Sequence, residues 1–515
     1  MSERLQRAVS FTIEAGYQLD RNAFAFLNSL SKTEDPIKLM EETIKKLETA
    51  PERALFIDKN LLEEVAKEAF PKAIEEQPPM AQPPQALIQG KKTFRAAAKD
   101  IDSDIKIIDD PTDDICESGT LEEYLEYFQD RYKRMKKILR QRIDVKGAST
   151  ISDALKAKAN SKVKIIGMII EKKEATQKLL LRVEDLGATA TVLVSPSRNP
   201  KIMKKARDLL SDQVVCIAAV KGQNDLLIAE DIIWPDMPQR KPNTAPIPVC
   251  AVLMSDLHVG SKMFMKEDFT RFLLWLNGKL GDNRLKEMAS RVKYLIIAGD
   301  VVDGIGIYPN QIEELAIEDI YEQYRMASKF IEEIPDYIEV IVIPGNHDAS
   351  RKALPQPAIP RNYAEPIHEV RKVHSLGNPC TVSLHDVEIL LYHGRSLDDI
   401  ISVAPGMNFN SPERAMRLLL QGRHLAPLYG GKTPIAPEKR DFMVIERPPD
   451  ILHCGHVHVL KYESYRGTLI VNSGAWQKQT KYQEEMGVVP TPGIVPVVNL
   501  QTLEVMPIDF TTPQA

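Results

Sequence analysis

Five apolar runs in the second half of this 515-residue sequence each end in side chains that can bind a metal ion. The runs are VCAVLMSDLH (249–258), YLIIAGD (294–300), VIVIPGNHD (340–348), EILLYHG (388–394) and DILHCGHVH (450–458). Runs that are apolar throughout are typical of parallel strands covered on both faces, and ligands gather at the carboxyl ends of such strands. We therefore predict an α/β domain over residues 243–515, with one site at its strand ends.

The polar residues at these run ends are aspartate, asparagine and histidine. A lone Asp after a strand is more often a helix cap, and a lone His is more often a packed residue, but six of the ten histidines lie in these five endings. Oxygen and nitrogen donors without thiolates suit manganese, iron or zinc. Two such cations about 3.5–4 Å apart can hold the attacking and the leaving oxygens of a phosphoryl displacement. The pattern favours a two-metal phosphoesterase site. Strand alternation turns His453 away from His456, which predicts a structural role for His453.

The rest of the sequence predicts three further stretches. Residues 1–74 carry apolar residues at helical spacing and indicate a helical N-terminal domain. Residues 75–119 are rich in proline, glutamine and acidic residues, which is typical of a flexible linker. Residues 120–242 begin with a capped amphipathic helix and continue with five short β-rich runs and one helical insert. They predict an OB-like β-barrel, although another five-stranded barrel or a sandwich would give the same pattern.

Charge and cysteine usage indicate the setting in which the chain works. The net charge is -5, so any surface for nucleic acid must be a local one or depend on metal ions. The five cysteines form no C-x-x-C pair, which favours a reducing compartment over disulfides or a structural zinc. No apolar run approaches the ~20 residues of a membrane span, and the N-terminal residues do not resemble a signal peptide. We expect a cytoplasmic protein without a membrane segment.

The order of the motifs resembles that of the calcineurin-like metallophosphoesterase superfamily. The matching elements are D-x-H at Asp256–His258, G-D-x-x-D at Gly299–Asp303, G-N-H-D at Gly345–Asp348, His393, and G-H-x-H at Gly455–His458. The resemblance implies a multidomain chain whose third part, after the helical unit and the OB-like barrel, is an α/β metallophosphoesterase sandwich.

The same resemblance implies a role for each matching residue. Asp256, His258 and His458 would hold a first metal, Asp300 would bridge, and Asn346, His393 and His456 would hold a second. His347 would act on the leaving oxygen, and Asp348 would orient His347 by a hydrogen bond, as the catalytic pair. Four other histidines lie between the third and last motifs, but only His393 follows a clean strand run and precedes a glycine.

A closer resemblance, from about Glu122 to the C-terminus, is to the small subunits of archaeal D-family DNA polymerases. It rests on the barrel placed before the phosphoesterase domain and on three stretches: LLYHGRSLDDII (390–401), GRHLAPLYGGKTPIAPEKRD (422–441) and GAWQKQTKYQEEMGVVPTPGIVPVVNL (474–500). It implies a 3′→5′ exonuclease that proofreads DNA 3′ ends, uses two divalent ions with manganese as the first choice, and assembles with a large catalytic polymerase subunit.

Several alternatives remain open at this point. The chain could be an architectural polymerase subunit with a vestigial metal site, or a stand-alone phosphodiesterase. Candidate DNA contacts are Arg395, Arg423 and Lys432, together with Lys201, Lys204, Lys205 and Arg207 on the barrel insert, although each could be an ordinary solvated side chain. The apolar, proline-rich segment beyond residue 474 could be a surface for the large subunit or a final strand of the chain's own sheet.

Overall fold

The computed structural model describes residues 3–15, 17–19, 21–30, 35–48, 56–57, 59–69, 94–115, 119–175, 178–196 and 199–512. The chain divides into two compact units, residues 1–93 and residues 94–515. None of the helices formed by the described residues is long and apolar enough to cross a membrane.

The first unit is a group of short helices. It contains α1 (Glu3–Glu14), α2 (Arg21–Leu30), α3 (Pro36–Glu48) and α4 (Lys59–Ala69), with a short parallel pair formed by β1 (Gln18–Leu19) and β2 (Phe56–Ile57). The apolar residues at helical spacing in α3, such as Met40 and Leu47, pack with Leu62 and Val65 of α4 in one buried cluster. The spacing in the sequence therefore identifies the helix faces that form this small core.

Part of the predicted linker belongs to the second unit, so the prediction of a tether over 75–119 was wrong for residues 94–115. Residues Ile105–Asp109 form a strand, β3, that pairs antiparallel with the strand Cys380–Leu384 at the edge of a sheet. Ile107 and Ile108 of β3 are 52% and 37% exposed. Because β3 is held by backbone hydrogen bonds and buries no alternating apolar face, its sequence carries no strand signal. Residues 75–93 and 116–118 lie outside the described residues.

A closed five-stranded barrel follows a long helix, which confirms the predicted barrel. Helix α5 (Leu121–Arg140) begins with a capping box formed by Thr120 and Glu123. The barrel order is β4-β5-β6-β8-β7. Its elements are α6 (Ile151–Lys156), β4 (Lys162–Ala175), β5 (Lys178–Glu184), β6 (Thr189–Val194), α7 (Pro200–Arg207), β7 (Val214–Lys221) and β8 (Leu226–Ile233). Every second residue of β5 is buried, since these side chains fill the barrel interior.

Two six-stranded sheets form the rest of the second unit. In spatial order the first sheet contains β12 (Val373–Ser375), β11 (Glu339–Ile343), β10 (Val292–Ala298), β9 (Cys250–Met254), β18 (Ile494–Asn499) and β19 (Glu504–Asp509). The second contains β16 (Lys461–Tyr465), β17 (Thr468–Asn472), β15 (Ile451–Cys454), β14 (Val387–Leu391), β13 (Cys380–Leu384) and β3. The segment beyond residue 474 therefore contains a final strand of the chain's own sheet, since β18 pairs with β9.

The sheets face each other, and helices cover their outer faces. Leu253 of the first sheet and Ile389 of the second belong to the same buried cluster, whereas Val252 packs on the helix side with Phe272. The helices are α8 (Lys266–Leu276), α9 (Asn283–Ser290), α10 (Ile320–Glu332), α11 (Arg361–Val370), α12 (Leu397–Val403), α13 (Pro412–Gly422) and α14 (Lys481–Glu485). Strands β9, β10 and β11 are parallel, as are β14 and β15, so the carboxyl ends within each group lie at one edge.

A buried arginine joins α5 to the sandwich. The Arg131 side chain is fully buried, and its Nε donates to Oδ2 of Asp441 at 2.7 Å. Its Nη1 donates to the carbonyl oxygen of Pro427 at 2.8 Å, and its Nη2 donates to the hydroxyl of Tyr127 at 3.0 Å. Burial alone would raise the pKa of Asp441, but His424 and Arg131 hold it well below its ordinary value. The aspartate is therefore a buried anion that needs its partners.

Replacing Arg131 by alanine should destabilise the second unit by about 3–5 kcal/mol, the usual cost of leaving one member of a buried ion pair without its partner. Denaturant unfolding of the variant would measure the loss. A suitable control is Arg142→Ala, which removes a part-exposed pair with Asp144 and should cost about 0–1 kcal/mol. Equal losses in the two variants would contradict a special role for Arg131.

Candidate metal centre

Seven predicted ligands meet where the two sheets present their strand ends. Each follows a strand directly: they come after β9, β10, β11, β14 and β15 and are Asp256, His258, Asp300, Asn346, His393, His456 and His458. Five of them, the ones other than Asn346 and His393, have positive φ angles between 53° and 68°. Non-glycine residues rarely adopt this conformation, and such strain concentrates at functional sites. The backbone here is bent in a way that turns polar side chains toward one point.

One group of side chains converges on a carboxylate oxygen. Nε2 of His458 lies 3.3 Å from Oδ1 of Asp256, and Nε2 of His258 lies 3.1 Å from Nε2 of His458. Among the described residues, Oδ1 of Asp256 is buried and has no hydrogen-bond partner. The second oxygen of Asp256 accepts from the backbone amide of His456 at 2.8 Å. An orphaned carboxylate oxygen beside two imidazole nitrogens fits a bound cation, which would satisfy all three atoms.

A second group lies across Asp300 from the first. Oδ2 of Asp300 is 3.2 Å from Nε2 of His393 and 3.9 Å from Nε2 of His258, so it faces both groups. Oδ1 of Asn346 is 3.0 Å from the same nitrogen of His393. One donor atom from each of Asp300, His393 and His456 lies within 4.8 Å of the others. These donors fit a second cation, with Asp300 placed where a bridging ligand is needed.

The electrostatics of both groups favour positive charge. Burial opposes a charge on His258, but the neighbouring carboxylates, led by Asp303, raise its pKa to about 9. Burial likewise opposes a charge on His393, but Asp300 raises its pKa to about 9. Burial would raise the pKa of Asp300, yet His393 and His347 hold it well below its ordinary value. The carboxylates therefore remain ionised, and divalent cations would neutralise a buried negative cluster.

Three of the ligand histidines have their other ring nitrogen engaged by the protein. Nδ1 of His258 is 2.9 Å from Oδ1 of Asp303, and Nδ1 of His393 is 2.8 Å from the carbonyl oxygen of Ala298. Nδ1 of His458 is 2.8 Å from the side-chain amide nitrogen of Gln483 on α14. The oxygen acceptors hold the ring hydrogens of His258 and His393 on Nδ1 and leave Nε2 for a metal, whereas Gln483 donates to Nδ1 of His458 and fixes only the orientation of that ring. Gln483 had no sequence signal, since it lies 25 residues beyond the motif.

The contacts of the predicted catalytic pair differ from the prediction. Nδ1 of His347 lies 2.7 Å from the carbonyl oxygen of Asp303, and no hydrogen bond joins His347 to the Asp348 carboxylate among the described residues. Asp348 instead accepts from the backbone amides of Gly345 and Val301 and from the Tyr324 hydroxyl. The prediction that Asp348 orients the His347 ring was wrong. The buried carboxylate of Asp348 instead stabilises the backbone at Gly345 and Val301, because it accepts hydrogen bonds from both of their amides.

Burial lowers the pKa of His347 to about 4, so its ring is neutral near pH 7. The contact of Nδ1 with a carbonyl oxygen requires the ring hydrogen on Nδ1, and Nε2 then carries a lone pair. The ring can therefore accept a proton on Nε2 and later pass it on. The motif resemblance assigns no role to Asp303, yet Asp303 contacts both His258 and His347.

The candidate DNA contacts differ in exposure, since Arg423 is buried and Arg395 is half-buried. Arg423 is 4% exposed and donates through Nε to the carbonyl oxygen of Ile445 at 2.7 Å, so its prediction as a surface cation was wrong. Its left-handed backbone at the end of α13 turns the side chain inward, which the sequence does not reveal. Arg395 is half-buried directly after His393 and Gly394. Burial would raise the pKa of Asp398, but His456 and, to a smaller extent, Lys432 and Arg395 hold it below its ordinary value.

Two further basic candidates and His453 have structural contacts, whereas Lys201 and Lys204 are exposed. On the barrel insert, Lys205 forms an ion pair with Asp231 at 2.6 Å, and Arg207 forms one with Glu174 at 2.5 Å. His453 is buried, and its Nε2 lies 3.2 Å from the Ser473 hydroxyl, which lies 2.7 Å from the hydroxyl of Ser255. A cation missed by sequence reasoning is Lys352. Its Nζ donates to the carbonyl oxygen of Asn346 at 2.6 Å, which places it beside the second group.

The architecture and site agree with what the sequence matches among known proteins. Residues 251–461 match the family described as the B subunits of DNA polymerases alpha and epsilon. Over these residues the chain is thus similar to the second, B-type subunits of DNA polymerases.

Individual relatives give a narrower family. The chain is 40% identical to the DNA polymerase II small subunit of Pyrococcus furiosus over 76% of this chain and 64% of that protein. It is 41% identical to the Archaeoglobus fulgidus protein of the same name, over 76% of this chain and 78% of that protein. It is 34% identical to the Methanothermobacter thermautotrophicus one, over 95% of this chain and 97% of that protein. The chain belongs to the family of archaeal, D-family DNA polymerase II small subunits. Its match spans less than two thirds of the Pyrococcus furiosus protein.

Proposed function

We propose that this chain is the nuclease subunit of a DNA polymerase and hydrolyses DNA phosphodiester bonds from the 3′ end in a metal-dependent reaction. The observation that carries the proposal is the complete ligand set around Asp300, with the buried Oδ1 of Asp256 left without a hydrogen-bond partner among the described residues. A purely architectural subunit has no need to keep seven such donors together, since each buried polar group costs stability unless it is satisfied. A proofreading role follows from membership of a polymerase family.

The residues around the site have separate tasks in this reaction. Two divalent ions, with manganese as the first candidate and zinc or iron as others, would supply Lewis acidity and lower the pKa of water. His347 would accept a proton at Nε2 from solvent water and deliver it to the leaving 3′ oxygen, while the Asp303 carbonyl holds its Nδ1 hydrogen. Arg395 and Lys352 lie on the side of Asn346 and His393, where a phosphate oxygen of DNA can contact them. Lys432 would extend this basic edge.

The partner in this proposal is a large catalytic polymerase subunit. The support is the family name, which describes a small subunit, together with exposed apolar side chains on the second unit. They include Tyr482, Met486 and Val489, which are 63%, 43% and 66% exposed next to the metal centre. A free phosphodiesterase for small molecules would need neither the barrel nor these side chains. An architectural subunit remains the second candidate function.

A direct test compares DNA labelled at its 3′ end with DNA labelled at its 5′ end. The purified chain with added manganese should release a labelled mononucleotide at once from the first substrate and shorten the second one nucleotide at a time. Chelation should stop both. Release of a labelled mononucleotide from the 5′ end would contradict the polarity, and complete inactivity of a chain shown to hold two ions would favour the architectural role.

The nuclease and assembly roles should also be separable. His456→Ala with His458→Ala removes one ligand from each group and changes little surface, whereas docking a subunit needs roughly 800 Å² per partner. The variant should assemble with the large subunit and extend primers at the normal rate, but fail to remove a mismatched 3′ nucleotide. Complex mass, primer extension and mismatch removal should be measured on one preparation. If extension is lost together with mismatch removal, the metals hold the assembly together.

A further inference from the structure

One ligand histidine differs from the other three in the nitrogen that it offers. His258, His393 and His458 direct Nε2 toward the carboxylates of the centre. In His456 it is Nε2 that lies 3.1 Å from Oδ2 of Asp398. The nitrogen of His456 that remains for a cation is therefore Nδ1.

Asp398 is placed outside the ligand group, on a turn that is tied to the following loop. It lies in the first turn of α12, five residues after His393, between the buried residues Leu397 and Asp399. The carboxylate of Asp399 accepts from the backbone amides of Lys432 and Thr433 at 2.6 and 3.0 Å, which ties this turn to the following loop. Asp398 is not a member of the group of donor atoms within 4.8 Å that His456 forms with Asp300 and His393. Its carboxylate is therefore a neighbour of a ligand, rather than a ligand.

We infer that Asp398 is a positioning residue that keeps the ring hydrogen of His456 on Nε2 and thereby presents Nδ1 to the second cation. Neutral imidazole carries one hydrogen, and a carboxylate next to Nε2 stabilises the tautomer with the hydrogen there. Asp303 does the same for His258 from the other side, since its Oδ1 lies 2.9 Å from Nδ1 and leaves Nε2 for the first cation. Asp303 would thus position a ligand of the first cation, and Asp398 would position a ligand of the second. The inference rests on the two-cation site of the proposed function, but not on nuclease activity.

The test is a manganese titration of the full chain by calorimetry. Losing an outer partner of a metal-binding histidine typically weakens metal affinity about 10- to 100-fold. In Asp398→Ala the binding event at the second ligand group should weaken by about that factor, while the event at the first group is unchanged. Asp398→Asn keeps an oxygen acceptor without the charge and should recover part of the loss. Asp303→Asn should instead weaken the first event, and Asp386→Asn, whose side chain is 71% exposed, should change neither.

A spectroscopic measurement separates positioning from a general structural effect. Nitrogen NMR of the zinc-loaded chain should show the hydrogen of His456 on Nε2, and thermal unfolding of Asp398→Ala without metal should match that of Asp386→Asn. Equal weakening of both cations, unchanged binding in Asp398→Ala, or a hydrogen on Nδ1 would each overturn the inference. So would a wild-type chain that binds fewer than two ions. A wild-type chain that binds two ions but degrades no DNA would overturn the proposed function alone.

Discussion

Exchanging Asp300 for alanine should abolish DNA hydrolysis and leave fewer than one metal ion per chain. Its Oδ2 faces His393 at 3.2 Å and His258 at 3.9 Å, so both ligand groups lose the same anion. Its Oδ1 accepts from the backbone amide of His347 at 2.7 Å, so the change also frees the loop that carries His347. Metal analysis after gel filtration, together with release of 3′-labelled nucleotide, measures both losses.

The fold of the Asp300→Ala variant should survive, because the residue follows β10 and is not part of the apolar core. A matched control is Asp300→Asn, which keeps the hydrogen bond to His347 and removes only the charge. It should also lose metal, since a bridging position between two cations requires an anion. Retention of two ions by either variant would show that Asp300 does not bridge.

Replacing His347 by alanine should slow nucleotide release by roughly 10²–10⁴-fold, the usual contribution of a positioned acid–base group. Metal content should stay at the wild-type value, because Nδ1 of His347 is bound to a carbonyl oxygen and its ring is outside both ligand groups of the proposed two-ion site. Single-turnover rates and metal analysis on the same preparation measure the two quantities.

The control for this variant is His374→Ala. His374 lies on β12, and its Nε2 lies 3.0 Å from Oε2 of Glu339, away from the strand ends that carry the site. Its loss should leave the rate unchanged. If His347→Ala lost both metals instead, His347 would be a ligand. The contact of His258, His347 and Asp303, whose donor atoms lie within 4.8 Å of one another, makes this a real alternative.

Much of the site could be read from the sequence because buried parallel strands leave a strong local pattern. A continuously apolar run followed by Asp, Asn or His marks both the strand and the place where it ends, as at Ala298 and Asp300. The barrel was predictable for a similar reason, since β5 and β6 alternate between buried and exposed residues. Both signals are local, and burial of one face or both is enough to produce them.

The errors have one physical cause, which is contact between residues far apart in the chain. Strand β3 is an edge strand whose position depends on backbone pairing with β13, more than 270 residues later in the sequence. Arg423 has the composition of a surface cation, and only its left-handed backbone and the carbonyl of Ile445 make it internal. Asp348 is close in sequence to His347 but points at backbone amides.

The sequence by itself determined the barrel and most of the strands, because residue type and period are properties of short segments, and its motifs predicted the seven candidate donor residues through a family resemblance. The tertiary structure decided which donors face one another, and it placed Asp300 between the two groups. It also selected the ring nitrogen offered by three of the histidines, through Asp303, Ala298 and Asp398. Those contacts join segments that are up to 95 residues apart. Parallel pairing within each sheet brings Asp303 to His258 and Asp398 to His456, and the packing of the two sheets brings Ala298 to His393.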